Sequence, residues 1–513
     1  MSLAGGHGAE ELRFEKFDLA SFPRGVKARR QVEYLRCYLT DLGAKAVVEE
    51  PQYFDRDYLA EFSAFYATSS KGYSNVCRRL HLFSIEEREV RRRVYEALAG
   101  DAVSLAALNE AYLGFSVIRP LEMAPLGRTV LRLYPETHPD YPRVTAPARP
   151  YVAHLAGLPL HVDGLAWQQQ DQGVGACATV ALWTMFHSSA LDEHHAVPTT
   201  AAITRSANTR WPMTRRIFPS DGLHIQQVCD AIREHGLLPA VLDGDHRVEL
   251  SGGALRGFSR SRFAALCAAL IRSGYPVLIA AKQLKAPNGA QHAVAAVGFR
   301  PGPSPLAASG SAEEEDGGIV HLYIHDDNLG PSVRFAIRET GPGGIAVLRA
   351  DPPPPLSRTP GMPNPTQNYF ELVPTSIVGA IPDEIRVSAD YLNRRALRLA
   401  GTVAKFLAAR SKALPGVTFS AGFLRISQYF SRELPQRLDG RRLVKARLAL
   451  ANRVRPMSLY VGVMRVSLEG RPLFDALLDT SDSELAPQIF AHVLFQPISI
   501  DWLGDVGVGI AAF

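Results

Sequence analysis

Between Asp351 and Asn368 the chain reads DPPPPLSRTPGMPNPTQN, and no other segment restricts the fold as strongly. Proline lacks an amide proton and fixes φ, so this stretch cannot form a helix interior or a central strand. It must run extended and semi-rigid, as a domain linker or as a strap across the surface. It interrupts a chain of 513 residues, a length that calls for two or three domains. The expected order is an N-terminal mixed α/β domain over 1–150, a central domain over 151–350, the Pro-rich segment over 351–369 and a C-terminal mixed α/β domain over 370–513. A second breaker, PGPSPLAASGSAEEEDGG at 301–318, has the composition of a surface loop between two strands of the central domain.

Hydrophobic residues make up 46% of the chain and charged residues 21%, a balance that supports packed cores and excludes a disordered chain. There is no apolar run of about 18 residues, so no membrane association is expected. The N-terminal MSLAGGHGAEELRFEKFDL lacks a basic stretch leading into an apolar one, so the expected location is the cytoplasm. The five cysteines, Cys37, Cys77, Cys177, Cys229 and Cys267, include no CxxC pair, which argues against a disulfide framework and a structural zinc site. A formal net charge of +5 is small for this length, and no nucleic-acid partner is expected. The basic clusters Arg91-Arg92-Arg93 and Arg437, Arg441, Arg442, Lys445 and Arg447 read as solvated helix faces.

Helical spacing runs through VKARRQVEYLRCYLTDLGA, followed by a strand at AVVEE. Ser84 and Glu87 have capping-box spacing and predict a helix start there, with Gly100 closing the helix. YVAHLAG and LPLHVDG predict a hairpin that leads into the polar WQQQDQGVGACATVALW. Beyond it come helices at Cys177, around GLHIQQVCDAIREHG and around RSRFAALCAALIRSG, then strands YPVLIAAK and QHAVAAVGF. A long helix over 387–412 and strands LYVGVMRVSL and IFAHVLF are expected in the C-terminal third.

A thiol nucleophile needs a lowered pKa, a base within hydrogen-bond reach and donors aimed at a developing oxyanion. Cys177 follows the turn Gly173-Val174-Gly175 and opens an apolar helical run, so its sulfur is expected at a helix N-terminus, where the dipole favours thiolate. Cys37, Cys229 and Cys267 sit inside apolar helical patterns and read as packing residues. Cys77 lies beside Arg78 and Arg79 but has no comparable turn, and also reads as structural. The base is His292, which opens the strand HAVAAVGF after a turn containing Gly289. His187 is excluded because ten residues along a helix correspond to about 15 Å of rise. The orienting carboxylate is Asp326 or Asp327 at the end of GIVHLYIHDDNLG, with Asn328 behind them. Strand alternation predicts that only one of the two carboxylates faces His292. The Cys177 amide and a preceding glutamine would hold the oxyanion: Gln172 first, Gln170 as alternative, then Gln168 and Gln169.

DQGVGAC before an apolar helix, then QHAVAAVGF, then a strand ending in Asp, resembles the papain-like cysteine peptidases over about 165 to 340. The resemblance is nearer to the bacterial double-glycine-leader peptidases than to papain itself. It implies an α+β fold in which the cysteine helix packs on an antiparallel sheet bearing His and Asp, with flanking mixed α/β domains. It also implies hydrolysis of a peptide or isopeptide bond in a protein or peptide substrate through a Cys177 thioester. Two features depart from the family pattern. The Gln172-to-Cys177 gap is one residue short, and Ala178-Thr179 follow the cysteine where the family has Gly-Pro or Trp. The same residue set serves transglutaminase-like acyl transfer or glutamine deamidation, and an inactive binding scaffold is the alternative outside enzymology. Neither the loose GxGxxA match at Gly173, which lacks a preceding strand, nor Asp192, His194 and His195, nor His321 and His325, makes a cofactor or metal site; none is expected. The flanking regions are expected to supply recognition or bind a regulatory protein partner.

Overall fold

Six antiparallel strands form the centre of the molecule, and their last member returns to the first. Val277–Gln283, Gln291–Pro301, Ile319–Asp326, Gly330–Thr340, Ile345–Ala350 and Leu372–Ile381 pair in that order. The last also pairs with Val277–Gln283, closing a barrel. Leu238–Asp243 and Val144–Thr145 add to its rim. This computed structural model describes residues 12–171, 173–192, 194–210, 216–250, 253–284, 290–302, 313–314, 318–341, 344–354, 361, 363–409, 416–454, 459–481 and 488–496. Strands Val277–Gln283 and Gln291–Pro301 are almost wholly apolar, as strands covered on both faces must be. The helix Cys177–Phe186 packs on Gln291–Pro301, and all its residues from Ala178 to Phe186 are buried.

The N-terminal region is a five-stranded antiparallel sheet of Arg13–Lys16, Ala46–Tyr53, Cys77–Phe83, Tyr112–Ile118 and Leu126–Leu131. The helix Arg30–Asp41 leaves this sheet to pack against Gly330–Thr340 of the barrel. The hairpin Arg149–Leu155 and Leu158–Gly164 forms as expected, turning through Ala156 and Gly157, both at positive φ. The C-terminal sheet orders Val417–Arg425, Tyr460–Leu468, Arg471–Asp479 and Ile489–Leu494, beside the helices Ala389–Ala408 and Gly440–Val454. The fold is therefore α+β, and among the described residues no helix is long and apolar enough to cross a membrane.

Three expectations change. Leu372–Ile381 belongs to the barrel, so the boundary placed at 370 falls before a strand of the central sheet. The Pro-rich segment thus joins two strands of one barrel and is a strap. Ser84 caps nothing: its hydroxyl donates to the Ala111 carbonyl, and the helix Glu87–Leu98 starts behind Glu86. The competing partner wins because Ser84 hydrogen-bonds to the end of the next helix, Ala102–Ala111. One continuous hydrophobic core runs from Phe22 to Leu494 through all three regions. The turn at Gly289 and most of 301–318 lie outside the described residues.

Candidate active site

Cys177 is the first residue of its helix, behind Ala176 in extended conformation, and no side chain caps this helix end. The turn that aims it is built by Asp171. Oδ1 of Asp171 accepts from the amides of Gly173, Val174 and Gly175 at 3.0, 2.7 and 2.7 Å, and its amide donates to the Gly175 carbonyl at 3.1 Å. Three amides converging on one carboxylate oxygen fix the backbone immediately before the helix. Glycine at 173 is sterically required, because a Cβ there would lie 2.5 Å from a Phe65 ring carbon.

Cys177 is the one cysteine that is not buried. Burial pushes the Cys37 thiol up to about 11 and that of Cys77 up to about 12, the adjacent arginines of Cys77 notwithstanding; Cys229 and Cys267 are also raised by burial. The Cys177 thiol lies near enough to His292 to favour its protonated form. His292 is the second residue of Gln291–Pro301, opposite Ala281, and its side chain is 2% exposed.

The register Ala295↔His325 between Gln291–Pro301 and Ile319–Asp326, carried one step on, sets Asp326 opposite Val294. Asp326 therefore shares a face with His292, two residues away. Oδ1 of Asp326 stands 3.1 Å from His292 Nε2. The Asn328 amide donates to the same oxygen at 2.9 Å, and Trp167 Nε1 donates to the Asp326 carbonyl at 2.9 Å. With Nε2 turned to the carboxylate, Nδ1 is the ring nitrogen left for the sulfur.

The expectation that only one aspartate faces His292 does not hold. Asp326 ends the strand and Asp327 begins the turn, so alternation no longer governs Asp327, and its Oδ1 lies 3.5 Å from Nε2. Neither oxygen of Asp327 has a hydrogen-bond partner, although the residue is buried. Burial, with Asp326 adding to it and His292 opposing it, pushes the Asp327 carboxyl up to about 7. Burial also disfavours charge on His292, but Asp326 and Asp327, with the hydrogen bond to Asp326 and the nearby Cys177 thiol, outweigh it and raise its pKa well above the ordinary value. His292, Asp326 and Asp327 also offer atoms within 4.8 Å of one another, a spacing a metal ion could use. The hydrogen bond already joining Nε2 to Asp326 describes the cluster as a hydrogen-bonded ion pair.

Of the glutamines, Gln172 lies outside the described residues. Gln170 Nε2 donates to Asn328 Oδ1 at 2.9 Å and so ties the cysteine loop to the aspartate turn. Gln168 donates to Glu61, and Gln169 donates to the Met123 carbonyl and accepts from Leu126, which makes both structural. His187 is buried at the far end of the Cys177 helix against Tyr151. His194 pairs with Tyr460, His195 with the Ala196 carbonyl, His321 with Asp351, and His325 with Leu165 and Ser332.

Tyr369, at the exit of the Pro-rich strap, was not singled out by the sequence. Its hydroxyl donates to Asp326 Oδ2 at 2.7 Å and lies 3.4 Å from His292 Nε2. An aromatic residue closing a Pro-rich segment carries no signal of such a role, because only the closed barrel brings it to Asp326. From the N-terminal helix, Arg30 stacks over the Tyr369 ring at 5.3 Å, and Gln31 donates to the Asp327 carbonyl at 3.3 Å. No protein-family model matches the chain, and no curated protein matches it.

Proposed function

We propose that the protein is a papain-like cysteine hydrolase that cleaves a peptide or isopeptide bond through a Cys177 thioester. The observation that carries this reading is the placement of Cys177, at a helix N-terminus, near a buried His292 whose Nε2 is held by Asp326. Transfer of the thiol proton to the imidazole gives a thiolate–imidazolium pair, stabilised by the helix dipole on one side and Asp326 on the other. The thiolate attacks the carbonyl carbon of the scissile bond, and the resulting oxyanion is held by the Cys177 amide and, as the resemblance implies, the side chain of Gln172. Collapse expels the amine with the imidazolium proton and leaves the thioester. Water, deprotonated by the neutral imidazole, then attacks the thioester, releasing the acid and restoring the thiol. The closed antiparallel barrel with the cysteine helix against it supports the same reading.

The N-terminal and C-terminal regions in this reading supply substrate recognition or regulation for a protein or peptide substrate. The test is site-resolved alkylation by iodoacetamide across pH in the wild type and in His292→Ala. Fast reaction of Cys177 below pH 7 that the substitution abolishes is the expected result. Slow, ordinary thiol behaviour at all five cysteines would overturn the reading in favour of a binding scaffold.

A further inference from the structure

Resting on the Cys177–His292 reading, we propose that Tyr369 is a positioning residue whose hydroxyl fixes Asp326 as the partner of His292 and sets the proton affinity of the imidazole. The Asp326 carboxylate has two oxygens and three donors around it. Oδ1 takes His292 Nε2 and the Asn328 amide, and Oδ2 takes the Tyr369 hydroxyl at 2.7 Å. Without Tyr369 the second oxygen would lose its side-chain donor, and the carboxyl plane would be held from one side alone.

The contrast with Asp327 shows what a donor does here. Asp327 lies as deep, close to the same imidazole, but neither of its oxygens has a hydrogen-bond partner. A buried carboxylate without donors favours its neutral form, and one with donors keeps its charge. Tyr369 thus gives Asp326 a donor that the neighbouring Asp327 carboxyl lacks, beside a single histidine. Its own position is set by Arg30 over the ring face and by Phe335 at its edge, 6.3 Å between ring centroids. The groups facing the hydroxyl are Asp326, Asp327 and His292, with the Arg30 cation on the far side of the ring.

The hydroxyl dipole turns its positive end to Asp326 and cancels part of the negative potential felt at His292. Removing it leaves that potential uncancelled, so the imidazole binds its proton more tightly. In a thiolate–imidazolium pair this raises the pH at which the imidazolium proton is lost, while the first step, thiol ionisation beside an already protonated imidazole, stays in place. The experiment is the pH profile of Cys177 alkylation in the full chain, where the first rise reports formation of the pair and the second reports loss of the imidazolium proton. Tyr369→Phe keeps the ring under Arg30. It is expected to leave the first step in place and raise the second by roughly 0.5–1 pH unit, the equivalent of one hydrogen bond.

Replacing Tyr369 by 3,5-difluorotyrosine keeps the hydroxyl and strengthens it as a donor, and is expected to narrow the range instead. This second variant reports even if Tyr369→Phe fails to fold. Profiles for both that superimpose on the wild type, or shifts of the opposite sign, overturn the proposal for Tyr369. A wild-type profile with one ordinary thiol step overturns the Cys177–His292 reading itself, so the two failures are distinguishable.

Discussion

Tyr66 donates its hydroxyl to Asp171 Oδ2 across 2.8 Å, joining the N-terminal region to the loop that aims Cys177. The other oxygen of Asp171 gathers the three amides of that loop, so one carboxylate connects two parts of the chain 105 residues apart.

Asp171→Asn is therefore expected to slow Cys177 alkylation at pH 6 by about tenfold or more, because a neutral amide oxygen holds three backbone donors less strongly than a carboxylate and the amide nitrogen cannot accept from Tyr66. Tyr66→Phe removes a single donor and is expected to cost about 1 kcal/mol in urea unfolding while leaving the alkylation profile in place. A slow Tyr66→Phe and an unaffected Asp171→Asn would reverse this assignment.

The two aspartates beside His292 are expected to differ in their effect on turnover. Asp326 is hydrogen-bonded to Nε2 and its substitution by Asn removes the charge that holds the imidazolium. Acylation by an activated ester is expected to fall by about 100-fold or more. Neither carboxyl oxygen of Asp327 has a hydrogen-bond partner, and Asp327→Asn is expected to retain activity within about tenfold. Single-turnover acylation rates of the two variants check the ranking.

Stability should carry the signature of Asp327 across pH. Its carboxyl is raised to about 7 in the folded chain against an ordinary value of 3.8, so between these values the folded protein holds a proton that the unfolded chain has released. Stability then falls as pH rises from about 4 to about 7. Asp327→Asn has no such proton to lose, and the wild type is expected to weaken relative to it by about 1–4 kcal/mol over that window. His292, raised in the folded state, stabilises the chain below about pH 6.5 and loses that contribution as pH climbs through its folded value, which adds to the decline above neutrality. Urea unfolding of both proteins at pH 4.5, 6 and 7.5 measures the difference.

How much of this was readable before the fold depended on the range of the interaction. The turn and helix at Cys177, the strand of His292 and the strand ending at Asp326 are local patterns of glycine and apolar residues, and sequence locates them. What sets Asp327 beside His292 is the end of a strand one residue earlier than alternation assumes, which is decided by pairing with Gly330–Thr340. Tyr369 acts through a partner 43 residues away, so its neighbours in sequence say nothing of it, and the tie from the local turn of Asp171 to Tyr66 spans 105 residues. The Pro-rich segment was legible as a linker or a strap but not as internal to the barrel, because Leu372–Ile381 reads equally well as the first strand of a new domain. Ser84 shows the opposite failure: a correct local motif lost to a distant acceptor, Ala111.

The N-terminal region is expected to unfold together with the barrel. Glu61 and Arg119, both N-terminal, form a buried ion pair at 3.0 Å. Arg119 also donates to the carbonyl of Gln169, and Glu61 accepts from Gln168 and Thr200. Burial, opposed by Arg119, pushes the Glu61 carboxyl up to about 7, so its charge depends on that arginine. Arg119→Met leaves a buried carboxylate unpaired and is expected to cost about 3–5 kcal/mol, much of which Glu61→Gln in the same chain restores. Because the pair braces Gln168 and Gln169 before the cysteine loop, Arg119→Met should lower together the urea midpoints for exposure of the buried N-terminal thiols Cys37 and Cys77 and for loss of the Cys177 reactivity profile. Two separated transitions, with the N-terminal sheet lost while Cys177 keeps its reactivity profile, would instead make the N-terminal region an independent module. Coincident transitions make it part of the scaffold on which the thiol, the imidazole and the carboxylate meet.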